Sequence, residues 1–159
     1  MKPITFLLAV VSILSTLHAE VPHAAPEFVW TDSTGAPKKA SNFRGRPLVV
    51  LIASSPDQRA FRSQVGQLQK LYNLLAAQQL VCVAVFSEAP GVIRSNIPFV
   101  TVPDGAATAA AFDAPKGFAI AVIGEDGNLD SIGSSVLPGQ RVLDIINNSY
   151  ARQKALRRN

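Results

Sequence analysis

Three apolar runs punctuate the chain: Pro47–Ala53 (PLVVLIA), Leu80–Phe86 (LVCVAVF) and Phe118–Gly124 (FAIAVIG). Each is short and rich in β-branched residues, as a sheet strand covered on both faces should be. Between the first two, Phe61, Val65, Leu68, Tyr72 and Leu75, with Leu71 alongside, recur at helical spacing. Arg59, Arg62, Gln69 and Lys70 lie off that stripe, so an amphipathic helix is predicted. Ser54-Ser55-Pro56-Asp57 marks its start. Ser55 is the expected N-cap, Pro56 suits the first helical position, and Asp57 suits the positive end of the dipole. Strand, helix and strand in this order predict a right-handed βαβ unit with parallel pairing.

The flanking segments are shorter. Glu27–Thr31 predicts a strand with Phe28 and Trp30 alternating, and Asp32-Ser33-Thr34-Gly35 a turn. Pro37–Arg46 reads as loop. Pro98–Val102 predicts a short strand, Pro103-Asp104-Gly105 a turn, and Ala106–Phe112 a helix ended by Pro115. Glu125-Asp126-Gly127-Asn128 is a hairpin signal, with Leu129–Ile132 returning antiparallel. Pro138 opens a last helix with Val142, Leu143, Ile145 and Ile146 on its apolar face. The whole predicts an α/β fold, a mixed central sheet with helices on both faces.

The first residues change the picture from fold to destination. Lys2, the apolar segment Ile4–Leu14 and the small Ala19 have the order of a signal peptide, with cleavage expected after Ala19. Leu17 is bulkier than such a site prefers, and an uncleaved anchor is the alternative. Export to the periplasm or secretion follows. The expected organisation is signal peptide 1–19, Pro/Ala-rich linker 20–26, one domain 27–150 and a basic tail 151–159. With 159 residues the chain suits a single domain.

Charge adds little. There are 15 Lys and Arg against 11 Asp and Glu, and Arg152, Lys154, Arg157 and Arg158 cluster at the C-terminus. No basic stripe is interleaved with aromatics, so nucleic acid is not an expected partner. The tail cations complement a helix dipole, with weak contact to an anionic membrane surface as the alternative.

The order of elements, with "PEFVWTDSTG", "NFRGRPLVVLIAS", "IPFVTVPDGAATAAAF" and "FAIAVIGEDGNL", resembles the thioredoxin-like superfamily. The resemblance is to its exported peroxiredoxin-like and thiol-disulfide reductase members, over Pro26 to about Asn148. The resemblance implies a thioredoxin-like three-layer sandwich. The segment from Gly117 is similar to a bacterial family of unknown function related to the peroxiredoxin-like domain of animal matrix and sushi-repeat proteins, the DUDES group. In that family an aromatic residue leads a strand ending in Ile-Gly-x-Asp-Gly, matched here by Phe118, Ile123, Gly124, Asp126 and Gly127.

Active members of the superfamily place a Cys-x-x-Cys or a lone cysteine where the long helix begins, and a cis-proline before the third core strand. Ser54-Ser55-Pro56-Asp57-Gln58-Arg59 holds no sulfur there, and Phe118 takes the proline's place. The one cysteine, Cys82, sits inside a predicted interior strand, where a thiol is inert. With only His18 and His23 in the chain, neither a Ser-His-acid triad nor a His/Cys metal set is expected; no cofactor is expected either. The leading expectation is a non-catalytic binding or accessory module of the cell envelope, for an envelope protein or a small ligand. Its expected surface is Ser54, Ser55, Asp57, Arg59, Arg62 and Phe118. The alternative is a divergent thiol peroxidase or reductase using Cys82.

Overall fold

The computed structural model describes residues 22–114 and 116–158. The segment Ile4–Leu14, the expected cleavage after Ala19, and Pro115 lie outside the described residues.

The three apolar runs become β4 (Leu48–Ala53), β5 (Val81–Phe86) and β7 (Ala119–Ile123), buried along their whole length. With β1 (His23–Ala24), β6 (Phe99–Thr101) and β8 (Asn128–Gly133) they form one six-stranded sheet in the order β1-β8-β7-β4-β5-β6. β4 pairs parallel with β5, β5 parallel with β6, and β7 antiparallel with both β4 and β8. This is the mixed sheet the sequence predicts. The parallel β4–β5 pair needs a crossover, which α1 (Arg59–Lys70) and α2 (Tyr72–Ala77) supply.

Alternation along each strand sends side chains to two separate cores. Val49, Leu51, Cys82, Ala84, Ile120 and Val122 face α1 and α4 (Gly139–Asn147). Leu48, Val50, Ile52, Val83, Val85 and Ala121 face the opposite layer. That layer contains α3 (Gly105–Ala111), β2 (Val29–Thr31) and the 3-10 turn Ala40–Phe43. Burying each of the large aliphatic side chains contributes about 1.5–3 kcal/mol.

Four expectations are corrected. Pro37–Arg46 is not all loop: β3 (Pro37–Lys39) pairs antiparallel with β2. The hairpin brings Trp30 onto Phe43 in a stack with ring centroids 4.9 Å apart. The long helix is two, interrupted at Leu71 (φ −119°, ψ 18°); the break lies where Gly139 of α4 abuts Gln67 and Leu71. The expected linker joins the sheet, because His23 and Ala24 pair with Leu129 and Asn128. The expected tail folds as α5 (Tyr150–Leu156). Arg152 there is held by Glu125, Nη2 to Oε1 at 2.9 Å, and by Asn147 at 2.9 Å.

Candidate functional site

β4 ends at Ala53, and the chain leaves the sheet as a turn before entering α1. The turn is fastened from two sides. The Ser54 N–H donates to Gln58 Oε1 at 2.9 Å. Its carbonyl accepts from the backbone N–H groups of Glu88 and Ala89 at 3.1 and 3.0 Å. The ends of β4 and β5 are tied where the Ser87 N–H donates to the Ala53 carbonyl at 2.9 Å.

The helix start predicted at Ser55–Asp57 is therefore displaced. Gln58 is the N-cap and Arg59 the first helical residue. The Ser55 carbonyl accepts the Gln58 N–H at 3.2 Å, closing a turn over Pro56 and Asp57. No side chain caps α1; the Gln58 amide oxygen instead accepts the N–H of Ser54, in the turn before the helix.

The structure brings all six surface candidates to one end of the sheet, Phe118 through the register that sets Ala119 opposite Ile52. Ser54 and Ser55 are half-buried, and Asp57, Arg59 and Arg62 are exposed. Among the described residues none of these charges has an ion-pair partner. Phe118 is corrected: it is 8% exposed and packs in the core facing α1 and α4. The reason is the strand period. Phe118 precedes β7 in phase with Ile120 and Val122, so its ring points to the same covered face.

A pocket of about 130 Å³ opens beside this turn. Phe61 and Val65 of α1 form its apolar floor, and Val92 and Ile93 of the segment after β5 its wall. Arg62, Arg94 and Asp57 stand at its mouth. Phe61 is fixed from below by Phe86, edge-on with centroids 5.1 Å apart. The wall is tethered by the Gln69 amide, which donates to Ser95 Oγ at 3.3 Å and Asn96 Oδ1 at 3.0 Å.

Cys82 lies near the far end of β5. Four strand steps separate it from Phe86, about 13 Å at 3.3 Å each. It is 3% exposed, and burial pushes its thiol up to about 12. At that value the nucleophilic thiolate is scarce at neutral pH. Among the described residues, no group of three or more His, Cys, Asp or Glu side chains is placed to hold a metal ion.

Two polar residues, one fully buried and one half-buried, were not among the candidates. Gln64 is fully buried on α1; its amide donates to the Leu137 carbonyl at 3.0 Å and accepts the Leu137 N–H at 2.7 Å. A signal existed, since Gln64 falls on the apolar stripe between Phe61 and Leu68. Asp130 reaches from β8 to α5, and no local pattern marks it.

No protein family and no curated protein matches the chain by sequence. Solved structures do. The peroxidoxin BcpB of Mycobacterium tuberculosis is 16% identical, with 77% of this chain and 90% of that one covered and a TM-score of 0.58. A thiol:disulfide interchange protein from Bacteroides sp. is 15% identical, with 81% and 91% covered and a TM-score of 0.60. A secreted disulfide oxidoreductase of Mycobacterium tuberculosis, homologous to Escherichia coli DsbE, is 16% identical, with 74% and 92% covered and a TM-score of 0.57. The chain has the thioredoxin-like fold.

Proposed function

We propose that the protein is an exported, thioredoxin-like binding module of the cell envelope that performs no dithiol chemistry. One observation carries this. The turn between β4 and α1 holds Ser54-Ser55-Pro56-Asp57 where redox members of the superfamily hold sulfur, while Cys82 is sealed in the core. A serine hydroxyl titrates far too high to serve in thiol-disulfide exchange. The thiol peroxidase or reductase alternative would need Cys82 exposed with a lowered pKa, and its burial argues against that.

Export rests on the signal-like order of Lys2, Ile4–Leu14 and Ala19. The secreted disulfide oxidoreductase with the same fold is consistent with it. The similarity of Phe118–Gly127 to the DUDES-related bacterial family belongs to the same proposal. The exposed Lys154, Arg157 and Arg158 make weak contact with an anionic membrane surface compatible with it. The recognition surface is the turn end: Ser54, Ser55, Asp57, Arg59 and Arg62.

The test pairs chemistry with mapping. Peroxide consumption and disulfide reduction are measured for the protein and for Cys82→Ser, expecting none from either. A photo-crosslinking residue is then placed at Asp57 or Arg59, and at Lys38 on the β2–β3 hairpin, in cells. Discrete adducts at the turn and none at Lys38 are expected. Cys82-dependent turnover, or adducts indifferent to position, would overturn the proposal.

A further inference from the structure

We infer that the pocket between α1 and the segment after β5 binds a monocarboxylate bearing a branched apolar group. The inference deepens the reading of the turn end as a binding surface and rests on it.

Three features converge there. The floor is apolar, made by Phe61 and Val65, and Val92 at its wall is 85% exposed, the most exposed large hydrophobic side chain among the described residues. An apolar floor with a few charged groups converging on it is the usual make-up of a small-ligand site. The volume, about 130 Å³, suits one branched aliphatic group. Finally, Arg62 and Arg94 both stand at the mouth, exposed and without an ion-pair partner among the described residues. Each guanidinium presents a forked donor that matches a carboxylate.

The sign and size of the local charge select the anion. Arg62 and Arg94 supply two positive charges, and Asp57 at the same mouth removes one. A singly charged carboxylate is complementary to that balance; a phosphate dianion is repelled by Asp57 and has no use for the apolar floor. The ligand is thus an apolar chain ending in a carboxylate, supplied either as a free branched acid or as the C-terminus of a peptide ending in an apolar residue. Each source offers the same atoms to the site.

The experiment titrates the protein, expressed from its full sequence, into the millimolar range and follows the amide signals of Phe61, Val65 and Val92 by NMR. The probes are 4-methylpentanoate, N-acetyl-Ala-Ala-Leu and the C-terminal amide of that peptide. Saturable shifts at these residues are expected from a carboxylate and not from the amide. Tighter binding of the peptide assigns the site to chain ends; equal or tighter binding of the free acid assigns it to small acids. Arg62→Gln and Arg94→Gln each weaken binding at least about tenfold, the cost of one charge-assisted hydrogen bond. Lys70→Gln, on α1 but outside the pocket, leaves it unchanged.

Both arginine side chains are exposed and have no ion-pair partner among the described residues, so the variants keep the fold, which their NMR spectra verify. No saturable shifts with either carboxylate, binding of the amide as tight as the acid, or indifference to both arginine changes would overturn the inference. The two proposals fail separately. Position-specific crosslinks at Asp57 with no carboxylate binding remove only the ligand class. Carboxylate binding with no crosslinks removes only the protein partner.

Discussion

Asp130 caps α5 from another element: its Oδ1 accepts the backbone N–H of Tyr150 at 3.2 Å. The residue in the local N-cap position, Ser149, makes no such bond and is buried with its hydroxyl unpartnered. The cap of the last helix therefore comes from β8, twenty residues earlier, and ties that helix to the sheet. The site is costly for a charge. Burial, offset in part by the Tyr150 N–H and reinforced by Asp126, raises the Asp130 carboxyl above its usual value.

A raised acid favours its protonated form in the folded state. Its stabilising contribution is complete below the usual carboxylate range and is lost as pH rises through the raised value. Asp130→Asn keeps an oxygen for the Tyr150 N–H and carries no charge. The variant should exceed the wild type in stability at pH 7, by less than about 1 kcal/mol because the site is half open to solvent. The difference should vanish in acid. Urea unfolding at several pH values measures this, and a gap independent of pH would refute the assignment.

Gln64 holds both backbone groups of Leu137, the residue that leads into α4. Gln64→Leu fits the apolar stripe but leaves the part-buried N–H and C=O of Leu137 without their partner. The expected loss is about 2 kcal/mol or more, since each orphaned group costs about 1–3 kcal/mol. Amide exchange at Leu137 should accelerate in the variant, which separates this cause from a simple packing change.

A Cβ on Gly139 would strike the backbone carbonyl of Gln67, where α4 crosses α1. Backbone cannot swing aside as a side chain does. Gly139→Ala should cost about 1–3 kcal/mol despite the better helix propensity of alanine. Gly66→Ala, where nothing lies within 4 Å, is the comparison and should stabilise α1. Thermal unfolding of the two variants should move in opposite directions.

Cys82 should not react with a thiol reagent in the native protein and should react fully on unfolding, at the rate of unfolding. Cys82→Ala should cost about 1 kcal/mol, and Cys82→Ser more, about 1–3 kcal/mol, because a buried hydroxyl lacks a partner there. Fast labelling of the folded protein would contradict its burial.

The elements that were legible were those written in local pattern. β4, β5 and β7 are apolar runs, the Glu125–Asn128 turn is a hairpin motif, and α4 carries its apolar residues at helical spacing. β3 was not legible, because Pro37-Lys38-Lys39 has no strand character until Val29 and Trp30 pair with it. β1 was read as linker for the same reason: His23 and Ala24 are a strand only through Leu129 and Asn128.

The candidate site divides along the same line. Alternation from Phe118 through Ile120 and Val122 already implied that the phenyl ring faces the covered side, and its burial follows from that period. The displaced start of α1 was not implied, since it depends on the turn that ties Ser54 to Gln58, Glu88 and Ala89 in three dimensions. Nor was the convergence of Arg62 with Arg94, which lie 32 positions apart.

By itself the sequence determined which segments must be buried, their order, the missing sulfur at the head of α1, and the burial of Cys82. Those are properties of composition and period, which hydrophobic burial reads directly. Only the tertiary structure decided which polar groups meet: Gln64 with Leu137, Asp130 with Tyr150, Arg152 with Glu125, and the two arginines at one pocket mouth. Hydrogen bonds and ion pairs require atoms within a few ångströms and at the right angle. Such distances are set by how helices and strands cross, and no periodicity along the chain encodes them.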